Sequence, residues 1–239
     1  MLDRKVTPTI EEAVHFDLQL KNCDRFTLDN KVPVYAMNAG AQDVVMVEWV
    51  FDAGNWYDKQ PMVAATTNFL IKNGATSKTA YQINDFFEFH GAYLNRSCYN
   101  ETASITLHCL SKHLETLLPV VCEIIETSIF PAEELAIYIQ NQKQRLSVNL
   151  QKCDFIANRL IDEYLFGINH PYGTYSNAED YDALNTDVIK AFYNSHLNNT
   201  VVKFLWQEKC QLVMKGCSRK PLVHCLCTRF HTQWLNIQW

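Results

Sequence analysis

Three β-patterned runs stand back to back between Arg25 and Gly54, and helical periodicity begins only after them. Phe26-Thr27-Leu28 closes on the turn pair Asp29-Asn30. Val32 to Met37 closes on Asn38-Ala39-Gly40, and Val44 to Phe51 on Asp52-Ala53-Gly54. Asn, Asp and Gly accept turn conformations that β-branched and aromatic residues resist, so each break marks a chain reversal.

Helical signals follow. Met62 to Asn73 reads as a mostly apolar helix stopped at Gly74. Thr79 and Gln82 have the spacing of a capping box, in which the Thr hydroxyl covers a free amide and the Gln reaches back. Ile83, Phe86, Phe87 and His90 then share a face, and Gly91 suits a left-handed stop. Ala92 to Leu110 holds two more strands meeting near Tyr99-Asn100. Leu114, Leu117, Leu118, Val121, Ile124 and Ile125 mark an amphipathic helix, kinked or restarted at Pro119. Pro131 is expected at the first position of a long helix reaching about Leu150, with Glu133 and Glu134 at its positive end. Further helices are expected from Ile156 to Phe166 and from a Thr186 cap to about His196, and Val201 to Leu205 reads as a closing strand. This order gives an α+β fold, a mainly antiparallel sheet with helices packed on one face.

At 239 residues and 48% apolar, the chain is long enough to bury a sizeable core, as one large domain or one domain plus an appendage. The formal charge of -5 is unevenly spread: about +4 after Trp206 and about -9 before it. That balance argues against nucleic-acid binding. The start lacks the apolar core of a secretory signal, and no run reaches the roughly 18 apolar residues of a membrane span. Nine scattered Cys, an odd number, speak for a reducing cytoplasm rather than a disulfide framework. Residues 207–239 hold four of those Cys and two of the five Trp without sustained periodicity. The expected division is therefore 1–206 as the folded domain and 207–239 as an atypical basic tail, frame-shifted or disordered.

Four stretches, in order, resemble the pitrilysin/insulinase family of zinc metallopeptidases, near its processing-peptidase branch. "FTLDNKVPVYAMNAG" is similar to the family's opening strand pair, and "VEWVFDAGNWYD" to the strand and turn that follow. "FHGAYLN" is similar to the entry into a later strand, and "LFGINHPYG" to a helix-to-loop element. The resemblance covers roughly residues 15–205, one domain of the family's paired repeat.

The resemblance implies a site as well. The family's H-x-x-E-H helix holds Zn²⁺ on two His, uses the Glu as general base on the bound water, and completes the metal with a distal Glu. The corresponding positions here are Ala65, Asn68 and Phe69, and the distal Glu falls near Gln144, Arg145 and Leu146. No His occurs from Phe16 to Phe89, and no Glu from Trp49 to Phe87 or from Leu135 to Asp162. All four groups are missing, so no zinc, no catalytic residue and no other cofactor is expected.

Some members of the family are two-subunit enzymes in which one subunit carries zinc and the other lacks the motif. The implied function is that second kind, a pseudo-enzyme partner domain, here truncated. Its partner would be a catalytic zinc-bearing subunit, and a peptide would be the substrate of the complex. The alternatives are an active zinc metalloendopeptidase with an unrecognised metal site, or a non-functional fragment.

Other candidates read as structural. His108 and His113 straddle a strand-to-helix boundary, and His90 and Cys122 lie on or near core faces. His170 belongs to the NHPYG turn, and Glu133-Glu134 to a helix start. In the tail, Cys210, Cys217, His224, Cys225, Cys227 and His231 are zinc-type ligands whose spacing matches no paired pattern.

Overall fold

The computed structural model describes residues 22–27, 32–38 and 42–198, and the backbone of 201–208. The tail from residue 209 onward lies outside the described residues.

Strands β1 (Asp24–Thr27), β2 (Pro33–Asn38) and β3 (Val44–Phe51) follow the three opening runs. Helix α1 (Val63–Leu70) follows, then a small hairpin of β4 (Gly74–Ala75) and β5 (Lys78–Thr79). Next come α2 (Ala80–Phe89), β6 (Tyr93–Cys98) and β7 (Ala103–Leu110). The second half is helical, with α3 (Leu114–Thr127), α4 (Ala132–Asn149), α5 (Cys153–Phe166), α6 (Ala178–Asp182) and α7 (Thr186–Phe192), until β8 (Val201–Glu208) closes the domain. The main sheet runs β1-β2-β8-β3-β7-β6. Only the β2–β8 pairing is parallel, so the sheet is mainly antiparallel, as expected of an α+β fold.

Alternation explains the core. Val45, Val47, Trp49 and Phe51 share one face of β3 and are fully buried, whereas Met46, Glu48 and Val50 on the other face are half-buried. The buried face joins one apolar core with Leu114, Leu117, Leu118, Val121 and Ile124 of α3 and with Ile189 and Phe192 of α7. The Tyr193 hydroxyl donates to the Ile125 carbonyl at 2.6 Å and ties the end of the α7 segment to α3.

Local chemistry sets several element ends. The Thr79–Gln82 capping box is present in both directions, and Gly91 stops α2 at φ 60°. Three expectations shift. Pro131 caps α4 from outside, with extended backbone, rather than opening its first turn. Helix α5 begins at Cys153, three residues before the expected start. The cap of α7 is Asn185, whose Oδ1 accepts the Asp187 and Val188 amides, and not Thr186. Helix α3 runs through Pro119 unbroken, at the loss of one helical hydrogen bond, the one that the Glu115 carbonyl would accept.

Gly54 is required by a close approach. The amides of Gly54, Asn55 and Trp56 donate to the carbonyls of Glu101, Tyr99 and Asn100 at the β6–β7 turn. A Cβ on Gly54 would lie 2.5 Å from the Tyr99 oxygen.

Candidate functional site

Helix α1 starts without a capping side chain of its own, at Met62 with φ 71°. Asp58 supplies the acceptor instead, its Oδ1 taking the Ala64 amide at 2.7 Å. Burial pushes this carboxyl up to about 7, against the lowering pull of the Ala64 and Met62 amides. Cys98 lies nearby; burial, reinforced by the Asp58 charge, pushes its thiol up to about 12.

The three positions singled out on α1 have distinct environments. Ala65 is half-buried and offers only a methyl group. Asn68 is 1% exposed, and its Nδ2 donates to the Ser97 carbonyl at 2.6 Å and the Ser104 carbonyl at 3.5 Å. The amide therefore clamps α1 to β6 and β7. Its Oδ1 is buried and accepts no hydrogen bond. A carboxylate could not replace this amide, because it has no N–H to give to two carbonyl oxygens.

Phe69 is held from two sides of chemistry. The Arg96 guanidinium lies 4.5 Å from its ring centroid, and the Tyr138 ring of α4 is 4.8 Å away, tilted by 37°. Arg96 also donates from Nη1 to the Phe69 carbonyl at 2.5 Å, serving one of the free acceptors at the end of α1. Asn73 continues the chain: its Oδ1 lies 3.5 Å from Arg96 Nη1, and its Nδ2 donates to Glu134 Oε2 at 2.7 Å. Burial draws the Arg96 guanidinium down to about 10, with Tyr138 opposing, and pushes the Tyr138 phenol up to about 12. Lys72 is lowered too, first by burial and then by the Arg96 charge.

A cavity of about 600 Å³ opens between the end of α1 and α4. Phe69, Asn73, Tyr138, Gln144, Arg145 and Asn149 are among its walls. The structure thus brings Gln144 and Arg145 to the same space as Phe69, while Leu146 is buried in the core. The surroundings do not fit a zinc ion. Methyl, amide and phenyl groups are poor ligands for it, and a guanidinium over Phe69 repels a cation. Among the described residues, no group of three or more His, Cys, Asp and Glu could hold a metal.

The histidines among the described residues sit in aromatic packing. His90 is 5.1 Å from His113 and its Nδ1 is 2.8 Å from the Phe86 carbonyl. His108 stacks on Tyr93 at 4.5 Å, and burial lowers its pKa with Glu48 opposing. His170 packs on Trp56 and Phe166 in the NHPYG turn and accepts the Tyr172 amide. Cys122 is buried in α3, and Glu134 is engaged by Asn73. The tail cysteines and histidines lie outside the described residues.

Arg96, Asp58, Tyr138 and Asn73 escape a motif-based reading. One signal was available for Arg96. Leu94, Arg96 and Cys98 alternate on one face of β6, and a charge in line with the buried Leu94 points to a special contact.

No protein-family model matches the chain, and no curated protein matches it in sequence. Solved structures do. A peptidase M16 inactive domain from Pseudomonas fluorescens superposes with TM-score 0.74 at 21% identity, over 86% of this chain and 51% of that one. A protease from Helicobacter pylori gives 0.73 at 13% identity, over 85% and 50%. The ferredoxin protease FusC, solved in complex with Arabidopsis ferredoxin, gives 0.66 at 10% identity, over 95% and 25%. The chain therefore has the insulinase/M16-peptidase-like fold, and it spans about half the length of the first two proteins and a quarter of the third.

Proposed function

We propose that the chain is a non-catalytic, partner-type domain of a two-subunit zinc peptidase of the insulinase fold, of the processing-peptidase kind. In this reading Ala65, Asn68 and Phe69 stand at the positions of H-x-x-E-H. The observation that carries it is the Asn68 clamp: the side chain at the place of the general base is spent donating to the Ser97 and Ser104 carbonyls. An amide cannot take a proton from water at neutral pH, and none of the three side chains is an imidazole, thiolate or carboxylate of the kind that holds zinc. With Arg96 on Phe69, the local chemistry serves packing rather than hydrolysis.

What remains is shape. The cavity between α1 and α4 has the volume of a ligand site and mixes apolar walls with Asn and Gln amides. Such amides can donate to and accept from an extended peptide backbone. The domain would then form one wall of a chamber whose other wall is the catalytic subunit. Among the described residues no helix is long and apolar enough to cross a membrane, and the nine cysteines suit a cytoplasmic setting. Residues 1–206 are the domain of this proposal, with 207–239 as its appendage, and strand β8 carries the sheet two residues past that boundary, to Glu208.

The test is reconstitution. The purified chain is mixed with zinc-bearing insulinase-fold subunits from the same source, and cleavage of a quenched fluorescent peptide is followed. The expected result is formation of a complex and faster cleavage by one such subunit. A chain that joins none of them is a fragment without this role.

A further inference from the structure

Helix α5 is amphipathic with its faces reversed. A surface helix ordinarily turns its apolar stripe to the core and its charges to water. In α5 none of the 14 residues is buried. The half-buried row is Phe155, Arg159 and Glu163, spaced by four, and this is the face turned to the body. Arg159 is fixed there, its Nη2 donating to the Ser176 carbonyl at 2.7 Å and its guanidinium 4.0 Å from the Tyr175 ring centroid.

The opposite face carries Ile156, Leu160 and Tyr164 in one row and Ala157 and Ile161 in the next. Tyr164 is 90% exposed, Leu160 56% and Ile161 54%. Leu165 in the last turn is 65% exposed, and Ile168, past the helix end, is 53% exposed. So much contiguous apolar surface marks an interaction site.

Charge selects the occupant. Asp154, Asn158 and Asp162 form the row bordering the patch on one side. Glu163, at the edge of the half-buried row, borders it on the other, while the Arg159 guanidinium is turned away to the Ser176 carbonyl and the Tyr175 ring. Exposed Lys152 adds one cation before the helix start. With Asp154, Asp162 and Glu163 against Lys152, the rim is net acidic. A second copy of the chain, set helix to helix, would bring two acidic rims together. An anionic membrane would meet the same repulsion.

We propose that the outward face of α5 docks a partner protein through an amphipathic helix with basic flanks. The strip is about 21 Å long for 14 residues, which suits helix-on-helix packing. The proposal deepens the partner-domain reading and rests on it only in taking a protein as the occupant.

The test uses the full chain and two labelled amphipathic peptides of about 18 residues, long enough to form a helix. One has a Leu face with Lys flanks, the other the same face with Glu flanks, and binding is read by fluorescence anisotropy. The Leu/Lys peptide should bind at least about tenfold tighter, a difference of about 1.4 kcal/mol. The double variant L160Q/Y164Q, altered only at exposed positions, should keep its circular dichroism and lose about tenfold or more in affinity. The variant D154N/D162N should narrow the gap between the peptides.

Absence of Leu/Lys binding, or binding indifferent to L160Q/Y164Q, overturns the proposal. So does a dimer in sedimentation that L160Q/Y164Q dissociates, which makes a second copy the occupant. Adhesion to phosphatidylcholine vesicles that the same variant abolishes would make it a lipid surface. None of these outcomes touches the catalytic question, which the cleavage assays decide separately.

Discussion

The Arg96 guanidinium lies 4.5 Å from the Phe69 ring centroid and donates to the Phe69 carbonyl, joining β6 to the end of α1 through one residue. A cation thus stands beside the aromatic side chain near the end of α1. Planarity lets Arg96 stack and donate at once, which a Lys ammonium cannot do. Arg96→Leu should therefore cost about 2 kcal/mol, the sum of a half-buried cation–π contact and a charged hydrogen bond. Arg96→Lys should recover less than half of that. Urea unfolding of the three proteins checks both statements.

Asn68 makes a sharper claim, because its donors face two carbonyls. Asn68→Asp keeps the shape and reverses the chemistry, so a buried carboxylate would lie against oxygens. Its folded pKa would rise above the unfolded value of about 3.9. A raised acid pKa means stability is lost as pH rises through that window. The variant should be about 3 kcal/mol less stable than wild type at pH 8 and should recover most of the loss near pH 4. Thermal melts across that range read the difference.

Asp58 gives the same sign in the natural protein. Its folded carboxyl is raised from 3.8 to about 7. Between these values the unfolded chain releases the proton and the folded chain keeps it, so this group's contribution falls from pH 4 to pH 7 and is level above. Asp58→Asn keeps an acceptor for the Ala64 amide and removes the charge. The melting temperature of Asp58→Asn relative to wild type should rise over that interval and then plateau. A difference independent of pH would contradict the shift.

Gly54 tests the join between the β3 turn and the β6–β7 turn. Gly54→Ala places a methyl carbon 2.5 Å from the Tyr99 and Glu101 backbone, which cannot yield without breaking the three amide bonds there. A loss of about 3 kcal/mol is expected in urea unfolding.

Local chemistry makes much of the fold legible. The Thr79–Gln82 box, the Gly91 stop and the break after β3 all follow from residues within a few positions of one another, while the turn residues expected after β1 and β2 lie outside the described residues. The place of β8 does not. Its apolar run says strand, but its insertion between β2 and β3 is a long-range pairing that composition cannot specify. The Thr186 cap fails because Asn185, one residue earlier, satisfies two amides.

Along α1, the lack of His and Glu is plain in the sequence. What stands there instead comes from β6 and α4, as Arg96 and Tyr138, and only the tertiary fold brings these to Phe69. The reversed faces of α5 are likewise hidden, since periodicity gives an apolar stripe and not the direction it points.

The most direct test of the account is chelator-sensitive cleavage by the purified chain alone. The chain is supplied with zinc, freed of excess, and incubated with a quenched fluorescent peptide library, with and without 1,10-phenanthroline. The account predicts no cleavage above buffer in either case, and no gain on raising the zinc. Turnover that the chelator abolishes and zinc restores would contradict it, and would mean that a metal site works here without the motif's ligands.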